Sequence, residues 1–181
     1  MNMARSKILD LMPGDQPQTI RPLTFTAEGE LYPAITQTLN RVSNGVCLRR
    51  KAFESSLEDW SRVPLIFAQD HPDPRAYDKD PAAELARIKG RLVKGTASKA
   101  EIVKTGHPTL RLNFMLQDQE IQQGIEQGQI STSNGMIPEY DQAKRLIGVQ
   151  PHHILFFRED GKTVPGDAGV LIMKGGQQPH F

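Results

Sequence analysis

The sequence predicts an α+β domain that is mainly β, a small closed or nearly closed antiparallel barrel with a few surrounding helices. Three observations predict it: the chain has many short apolar runs of strand length, few stretches with helical periodicity, and no alternation of strands with long helices. With 181 residues it can form one domain with a sizeable core. We expect an N-terminal arm over residues 1–18, the barrel domain over 19–174 and a disordered tail over 175–181.

The first part of the chain is predicted to contain two strands. Apolar residues spaced along 19–26 predict the first, after which Gly29 and Pro33 interrupt the pattern. An Asn-Gly turn signal within residues 43–45 then leads into a second strand over 46–49.

The next segment combines a helix with the strand that precedes the first notable histidine. Apolar residues at i, i+4 and i+7 predict a short amphipathic helix over 51–60. The apolar run 63–68 predicts a strand, and the two prolines that follow it cannot continue one. His71 is therefore expected at a strand-to-loop exit, where catalytic side chains are often displayed.

The middle of the chain is predicted to be a loop, a helix, several strands and a further helix. Residues 72–82 are polar and rich in proline and aspartate, which predicts a mobile loop. A brief helix beginning at Pro81 should extend to residue 88. Two or three antiparallel strands fit residues 89–104 and 109–116, and a helix closed by a glycine fits 117–127.

The last part of the domain is predicted to be β again. A strand carries Ser133 and is followed by a loop near residues 138–141. Three further strands fit residues 143–150, 153–157 and 168–173, separated by glycine-containing turns.

Composition excludes several classes of function. The 22 Lys and Arg residues nearly balance the 21 Asp and Glu residues, so charge favours neither nucleic acid nor an anionic membrane as a partner. The single cysteine, Cys47, excludes an intrachain disulfide and a multi-cysteine zinc site, and we expect it to be a small buried side chain. No apolar run approaches the roughly 18 residues of a membrane span, so a soluble cytoplasmic protein is expected.

One serine and a few histidines could perform chemistry together. A serine hydroxyl is a poor nucleophile until a neighbouring base takes its proton, and the chain has only 5 histidines. Along the sequence, His71 precedes Ser133, and the pair His152 and His153 follows it. On spacing alone, Ser133 before Asn-Gly could equally be a turn residue.

Three stretches of the sequence resemble a known family. They are the segment from Phe53 to Pro72, which contains His71, the turn Ser133-Asn-Gly-Met136, and the segment Val149-Gln-Pro-His-His-Ile-Leu155. Together they resemble the tailed-phage capsid maturation (prohead) serine proteases, which are related to the herpesvirus assemblin. The similarity covers roughly residues 44–173.

The resemblance implies an assemblin-like fold and a Ser-His-His endopeptidase that needs no cofactor or metal. Ser133 would be the nucleophile, His71 the general base and His153 the orienting third member. The substrates would be scaffolding protein and the major capsid protein, in the host cytoplasm inside the immature capsid of a bacteriophage or prophage. The relation to assemblin also suggests a homodimer.

Several points about the site stay open at the level of sequence. Because strand residues alternate, only one of His152 and His153 is expected to point inward. Ser131 and Thr132 offer other hydroxyls close to Ser133. The oxyanion could be stabilised by backbone N–H groups near Gly135, helped by an arginine, with Arg145 and Arg158 as candidates.

Two other functions compete with the protease. The first is a metal-dependent hydrolase that uses His71, Asp73 and His153 as ligands, although no HExxH-like spacing supports it. The second is a catalytically inactive barrel that binds scaffold or shell proteins through the polar segment 73–81. This second function predicts that Ser133 is replaceable without loss.

Overall fold

The computed structural model describes residues 25–26, 29–43, 45–105 and 107–158. Its strands are β1 (Phe25–Thr26), β2 (Gly29–Thr38), β3 (Val42–Ser43), β4 (Val46–Cys47), β5 (Leu65–Phe67), β6 (Arg91–Leu92), β7 (Gly95–Ala97), β8 (Glu101–Thr105), β9 (His107–Leu116), β10 (Ile130–Tyr140) and β11 (Leu146–Arg158). Its helices are α1 (Arg50–Glu54), a 3₁₀ helix (Asp59–Arg62), α2 (Pro74–Lys79), α3 (Pro81–Arg87) and α4 (Gln119–Glu126). The predicted arm, the tail, the strand over 168–173 and most of the strand over 19–26 lie outside the described residues.

The strands form two main sheets, so the mainly β prediction is confirmed but the closed barrel is not seen in the described residues. One sheet has five strands in the order β1-β2-β9-β7, with β8 also paired to β9. The other has four strands in the order β10-β11-β5-β6, and β3 and β4 form a separate hairpin. The prediction of an all-antiparallel arrangement is wrong, because β5 runs parallel to β11. A parallel pair needs a long crossover, and here most of the domain separates the two strands along the chain.

Strand β2 was not predicted, because Pro33 interrupts its sequence pattern. Pro33 lies opposite Asn113 in β9. The backbone of Asn113 is bonded to Ser98 on its other side, since its N–H donates to Ser98 Oγ and its carbonyl accepts from the Ser98 N–H. Pro33 is therefore at a position where no N–H is needed for pairing with β9, and a proline is tolerated there.

The two strands that carry the site are longer and less interrupted than predicted. The predicted loop near residues 138–141 is wrong, because β10 continues to Tyr140. The two strands predicted over 143–150 and 153–157 are one strand, β11, which includes Pro151. Pro151 is tolerated because the pairing of β10 with β11 is irregular beside it, between Gly135 and Met136.

The helices agree only partly with the predictions. The amphipathic segment 51–60 divides into α1 and the 3₁₀ helix. The mobile loop predicted over 72–82 is wrong: Asp73 caps α2 by accepting the Ala76 N–H, and Pro74 occupies the first turn. The helix beginning at Pro81 is confirmed as α3, and the glycine-terminated helix is confirmed as α4.

The two sheets pack face to face around one large apolar core. Phe114 from β9 and Phe156 from β11 are fully buried and meet edge to face, with ring centroids 5.3 Å apart. On its other face the four-stranded sheet packs Leu155 and Phe157 against α2 and α3 in a second, smaller cluster. Cys47 is exposed, contrary to expectation. Among the described helices, none has the length and apolar character needed to cross a bilayer.

Candidate active site

The candidate site lies on the face of the four-stranded sheet that α2 and α3 cover. Ser133 on β10 pairs with Leu155, and Gly135 pairs with His153 on β11. Directly paired residues point to the same side of a sheet, so Ser133 and His153 share the face on which Leu155 packs. His71 lies in the loop that connects β5 to α2.

These elements bring together the three residues that the sequence singled out. Nε2 of His71 is 2.9 Å from Oγ of Ser133. Nδ1 of the same ring is 2.6 Å from Nε2 of His153. Both distances are hydrogen-bond distances, so one imidazole links the serine hydroxyl to a second imidazole.

The site is secluded from solvent, and this lowers the basicity of both rings. Ser133 is 1% exposed and His153 is completely buried. Burial lowers the pKa of His71 to about 4. Burial also lowers the pKa of His153 well below 6.5, and the neighbouring rings of His71 and His152 add to the effect. Both imidazoles are therefore neutral at pH 7, which a general base requires.

Gly135 provides the space that His153 occupies. A Cβ atom built on Gly135 would overlap the imidazole of His153, because the ring lies directly against the backbone of the facing strand. The Asn-Gly pair is in the middle of β10, so the alternative in which Asn134 and Gly135 form a turn is wrong. The glycine is needed for close approach of a ring rather than for a turn.

His152 also joins the site, contrary to the expectation that only one of the two adjacent histidines could. Gly135 pairs with His153 and Met136 pairs with Pro151, so His152 is the extra residue of a β-bulge. The bulge breaks the alternation of side chains, and Nδ1 of His152 is 2.9 Å from Nδ1 of His153. Nε2 of His152 in turn is 3.0 Å from Oδ1 of Asp78 on α2.

Side chains on both sides of His71 anchor its loop. Gln69 bonds to the main chain at the end of β11: its amide accepts the Arg158 N–H at 3.1 Å and donates to the Arg158 carbonyl at 3.3 Å. After His71, the Asp73 N–H donates to Glu84 Oε1 at 2.6 Å. The Arg87 guanidinium beside Glu84 holds the pKa of that carboxyl below its usual range.

The other sequence candidates are placed elsewhere or are otherwise engaged. Ser131 is buried and lies two residues from Ser133 along the same strand face, but the hydroxyl within hydrogen-bond distance of His71 Nε2 is that of Ser133. Arg145 pairs with Asp141 beyond the far end of β10, and Arg158 pairs with Glu120. Neither arginine contacts Ser133 among the described contacts, so the suggested charged help for the oxyanion is not supported.

The metal-site alternative is also unsupported by the geometry. Asp73, one of the three suggested ligands, uses its carboxylate to cap α2. The two other ligands, His71 and His153, are hydrogen-bonded to each other through the nitrogens that would hold an ion. In the described part of the chain, no cluster of His, Cys, Asp and Glu has an arrangement suited to a metal ion.

Asp78 is the site residue that sequence reasoning missed. The signal that could have revealed its position is the Asp73-Pro74 pair, because the same N-cap and N1 pattern recurs at Asp80 and Pro81, and Pro81 correctly predicted the start of α3. A helix beginning at Pro74 would have placed Asp78 within a turn of the histidine loop.

No family model matches the chain, and no similar curated protein or solved structure was found.

Proposed function

We propose that this chain is a serine endopeptidase that cleaves scaffolding protein, capsid protein or both during virus capsid maturation. The observation that carries the peptidase assignment is the unbroken hydrogen-bond path from Ser133 through His71 to His153. The viral substrates rest on the resemblance of the sequence to prohead proteases.

The geometry suits the two proton transfers of peptide hydrolysis. Ser133 Oγ attacks the scissile carbonyl while His71 Nε2 takes the hydroxyl proton, and His71 then gives that proton to the leaving amine. Water hydrolyses the resulting acyl-enzyme with the same base. To act as a base at Nε2, neutral His71 must carry its own proton on Nδ1, where His153 Nε2 is in position to accept it.

The third member of the triad sets an upper limit on the rate. His153 is a buried neutral imidazole, so it stabilises the imidazolium that forms on His71 less than a carboxylate would. A base whose pKa is about 4 also has less driving force for proton abstraction than one near 7. Modest turnover is acceptable for an enzyme confined with its substrate inside an immature capsid. Two copies of the chain would act there as a homodimer.

A second candidate is favoured by the burial of the serine. Ser133 is only 1% exposed, so a peptide can reach its hydroxyl only after some part of the site moves. A domain that retains the fold and the hydrogen bonds but binds scaffold or shell proteins without cleaving them would need no such movement. The two candidates differ in whether Ser133 reacts with a serine-directed phosphonate.

The test is co-expression of wild type, Ser133→Ala and Ser131→Ala with a candidate scaffolding protein, followed by intact mass measurement of every fragment. Ser131→Ala is the matched control, because it removes a buried hydroxyl from the same strand. We expect fragments with wild type and Ser131→Ala and none with Ser133→Ala. In parallel, a fluorophosphonate probe should label Ser133 in the purified protein, and a chelator should have no effect.

The outcomes separate the candidates. Labelling of Ser133 without cleavage of the scaffold supports a serine hydrolase with another substrate. No labelling at any pH contradicts the peptidase and supports the binding module. Loss of cleavage on chelation would instead support the metal-dependent hydrolase.

A further inference from the structure

The hydrogen-bond path does not end at the third member of the triad. Beyond His153 it continues through His152 to the carboxylate of Asp78 on α2, by contacts of 2.9 and 3.0 Å. The ring of His152 also meets Tyr77 edge-on, with centroids 5.8 Å apart. Five side chains from β10, β11, the histidine loop and α2 therefore form one continuous path.

When all three rings are neutral, the end of the path fixes the direction of every hydrogen bond in it. A carboxylate can only accept, so His152 must donate its Nε2–H to Asp78. A neutral His152 then has a lone pair on Nδ1, which accepts from Nδ1–H of His153. The remaining nitrogen of His153, Nε2, must accept from Nδ1–H of His71.

The direction of the remaining bond, between His71 and Ser133, follows from the tautomer of His71. With its proton on Nδ1, His71 has a free lone pair on Nε2, and that lone pair faces the hydroxyl of Ser133. This is the tautomer that a general base needs. The opposite arrangement makes as many bonds between the rings, but His71 would then donate to Ser133 and could not take its proton.

We infer that Asp78 and His152 are positioning residues that select the tautomer of His71 and His153 and so hold the His71 lone pair toward Ser133. This assignment rests on the proposed function for its catalytic meaning. It gives this site the orienting carboxylate that a Ser-His-His triad lacks, two imidazoles away from the base. The bulge at His152 makes the connection possible, because a regular strand would point that ring to the opposite face.

The expected effect is moderate because the carboxylate is exposed. The Asp78 side chain is 68% exposed, against 9% for His152, so water and salt screen its charge. Removing the outer partner of a metal-bound histidine typically costs about 10–100-fold in affinity or activity, and by analogy we expect the lower end of that range here. The same exposure makes substitutions at residue 78 tolerable to the fold.

The experiment compares Asp78→Ala and Asp78→Lys with wild type in the rate of fluorophosphonate labelling at pH 7.5. Asp78→Ala removes the acceptor and should lower the rate about 10-fold. Asp78→Lys places a donor at the end of the path, which favours the reversed arrangement, and should lower the rate further. The matched controls are Asp70→Ala and Asp70→Lys, an exposed acid near His71 that has no hydrogen bond to the path among the described contacts; they should remain within about twofold of wild type.

A second measurement reads the tautomers directly and does not depend on activity. In protein with ¹⁵N-labelled imidazoles, nitrogen chemical shifts should show His71 and His153 as Nδ1–H in wild type, with a shift toward Nε2–H in Asp78→Lys. Single His→Gln variants assign the resonances.

The results distinguish failure of this inference from failure of the proposed function. Tautomers that are the same in wild type and Asp78→Lys overturn the inference, as does equal labelling of wild type and both Asp78 variants. Absence of labelling in wild type contradicts the proposed function, while a tautomer change in Asp78→Lys would still support the path and its direction.

Discussion

At the scale of single residues, the lowered pKa of His71, the proposed general base, predicts an unusual dependence of reactivity on pH. Because burial lowers the pKa of His71 to about 4, the ring is still neutral at pH 5. We expect the rate of fluorophosphonate labelling of Ser133 to change little between pH 7 and 5 and to fall near pH 4. A histidine with an ordinary pKa of about 6.5 would lower the rate about 30-fold at pH 5. Such a drop, measured after correction for probe hydrolysis, would contradict the assignment of a buried neutral base.

Gly135 gives a second prediction at this scale. In Gly135→Ala the new methyl group would overlap the His153 ring, which is completely buried and cannot move far. We expect a loss of about 1–3 kcal/mol in the free energy of unfolding, typical of overpacking, together with loss of labelling. The control is Gly148→Ala on β11, where the Cβ meets only the flexible end of Glu139. Equal effects of the two substitutions would show that the space beneath His153 has no special role.

The residues of the site could be predicted from the sequence better than their neighbours could. The order of His71, Ser133 and His153 and the resemblance to prohead proteases identified three residues that the structure brings into hydrogen-bond contact. The rule of strand alternation failed for His152, because a bulge leaves no mark in the sequence pattern. Asp78 could not be found while its helix was predicted to be a loop.

At the scale of elements, the loop between β5 and α2 determines where the base lies. The side-chain amide of Gln69 bonds to both the N–H and the carbonyl of Arg158, which attaches the start of the loop to the end of β11. We expect Gln69→Ala to lower the free energy of unfolding by about 1 kcal/mol and to lower the labelling rate about 10-fold, since small misplacements of a catalytic group are costly. The control is Ser98→Ala, which removes comparable side-chain bonds to the main chain in the other sheet. Similar labelling rates in the two variants would count against a role of Gln69 in placing His71.

An element could be predicted when its signal lay in its own residues, and it was missed when the signal depended on a neighbouring strand. Helix α3 follows from Pro81, which suits the first turn of a helix, and α4 follows from the spacing of Ile121 and Ile125 and the glycine after them. Strand β2 and the continuity of β11 depend on proline positions whose backbone nitrogen is not needed for pairing. The register with the partner strand decides whether a proline nitrogen is needed for pairing, so the sequence of one strand alone cannot reveal which prolines a strand tolerates.

At the scale of the whole molecule, charged side chains connect the two sheets on one side of the core. Arg91 on β6 forms a two-pronged pair with Asp118, at 2.5 and 3.0 Å, and also contacts Glu120. Arg158 at the end of β11 binds the other oxygen of Glu120. Because Asp118 caps α4, which follows the five-stranded sheet, the network joins the sheet of the candidate site to the rest of the domain. Such connections between distant segments are invisible in a single sequence, as is the choice between two packed sheets and a closed barrel.

The buried imidazoles also make the stability of the whole domain depend on pH. A histidine whose pKa is lowered in the folded state stabilises the fold fully above its unfolded pKa, about 6.5, and progressively less as the pH falls toward its folded value, about 4 for His71. The carboxyls with lowered pKa, Glu84, Asp118, Glu120 and Asp141, change their contribution only at lower pH, because their stabilisation is complete above their ordinary pKa values of 4.5 for Glu and 3.8 for Asp and is lost below them. Between pH 7 and 5 the change should therefore come mainly from His71 and His153.

We expect the free energy of unfolding, measured in urea, to be lower at pH 5 than at pH 7 by about 2 kcal/mol from His71 alone, with a further loss from His153. In His71→Leu the baseline stability will change, but its decline from pH 7 to 5 should be smaller than in wild type, because one of the two buried rings no longer takes up a proton on unfolding. An exposed acid such as Asp70, replaced by Asn, serves as the control and should leave the decline unchanged. A wild-type stability that is equal at pH 7 and 5 would mean that the pKa values of both rings are no lower in the folded protein than in the unfolded chain, and the proposed neutral base would then have to be abandoned.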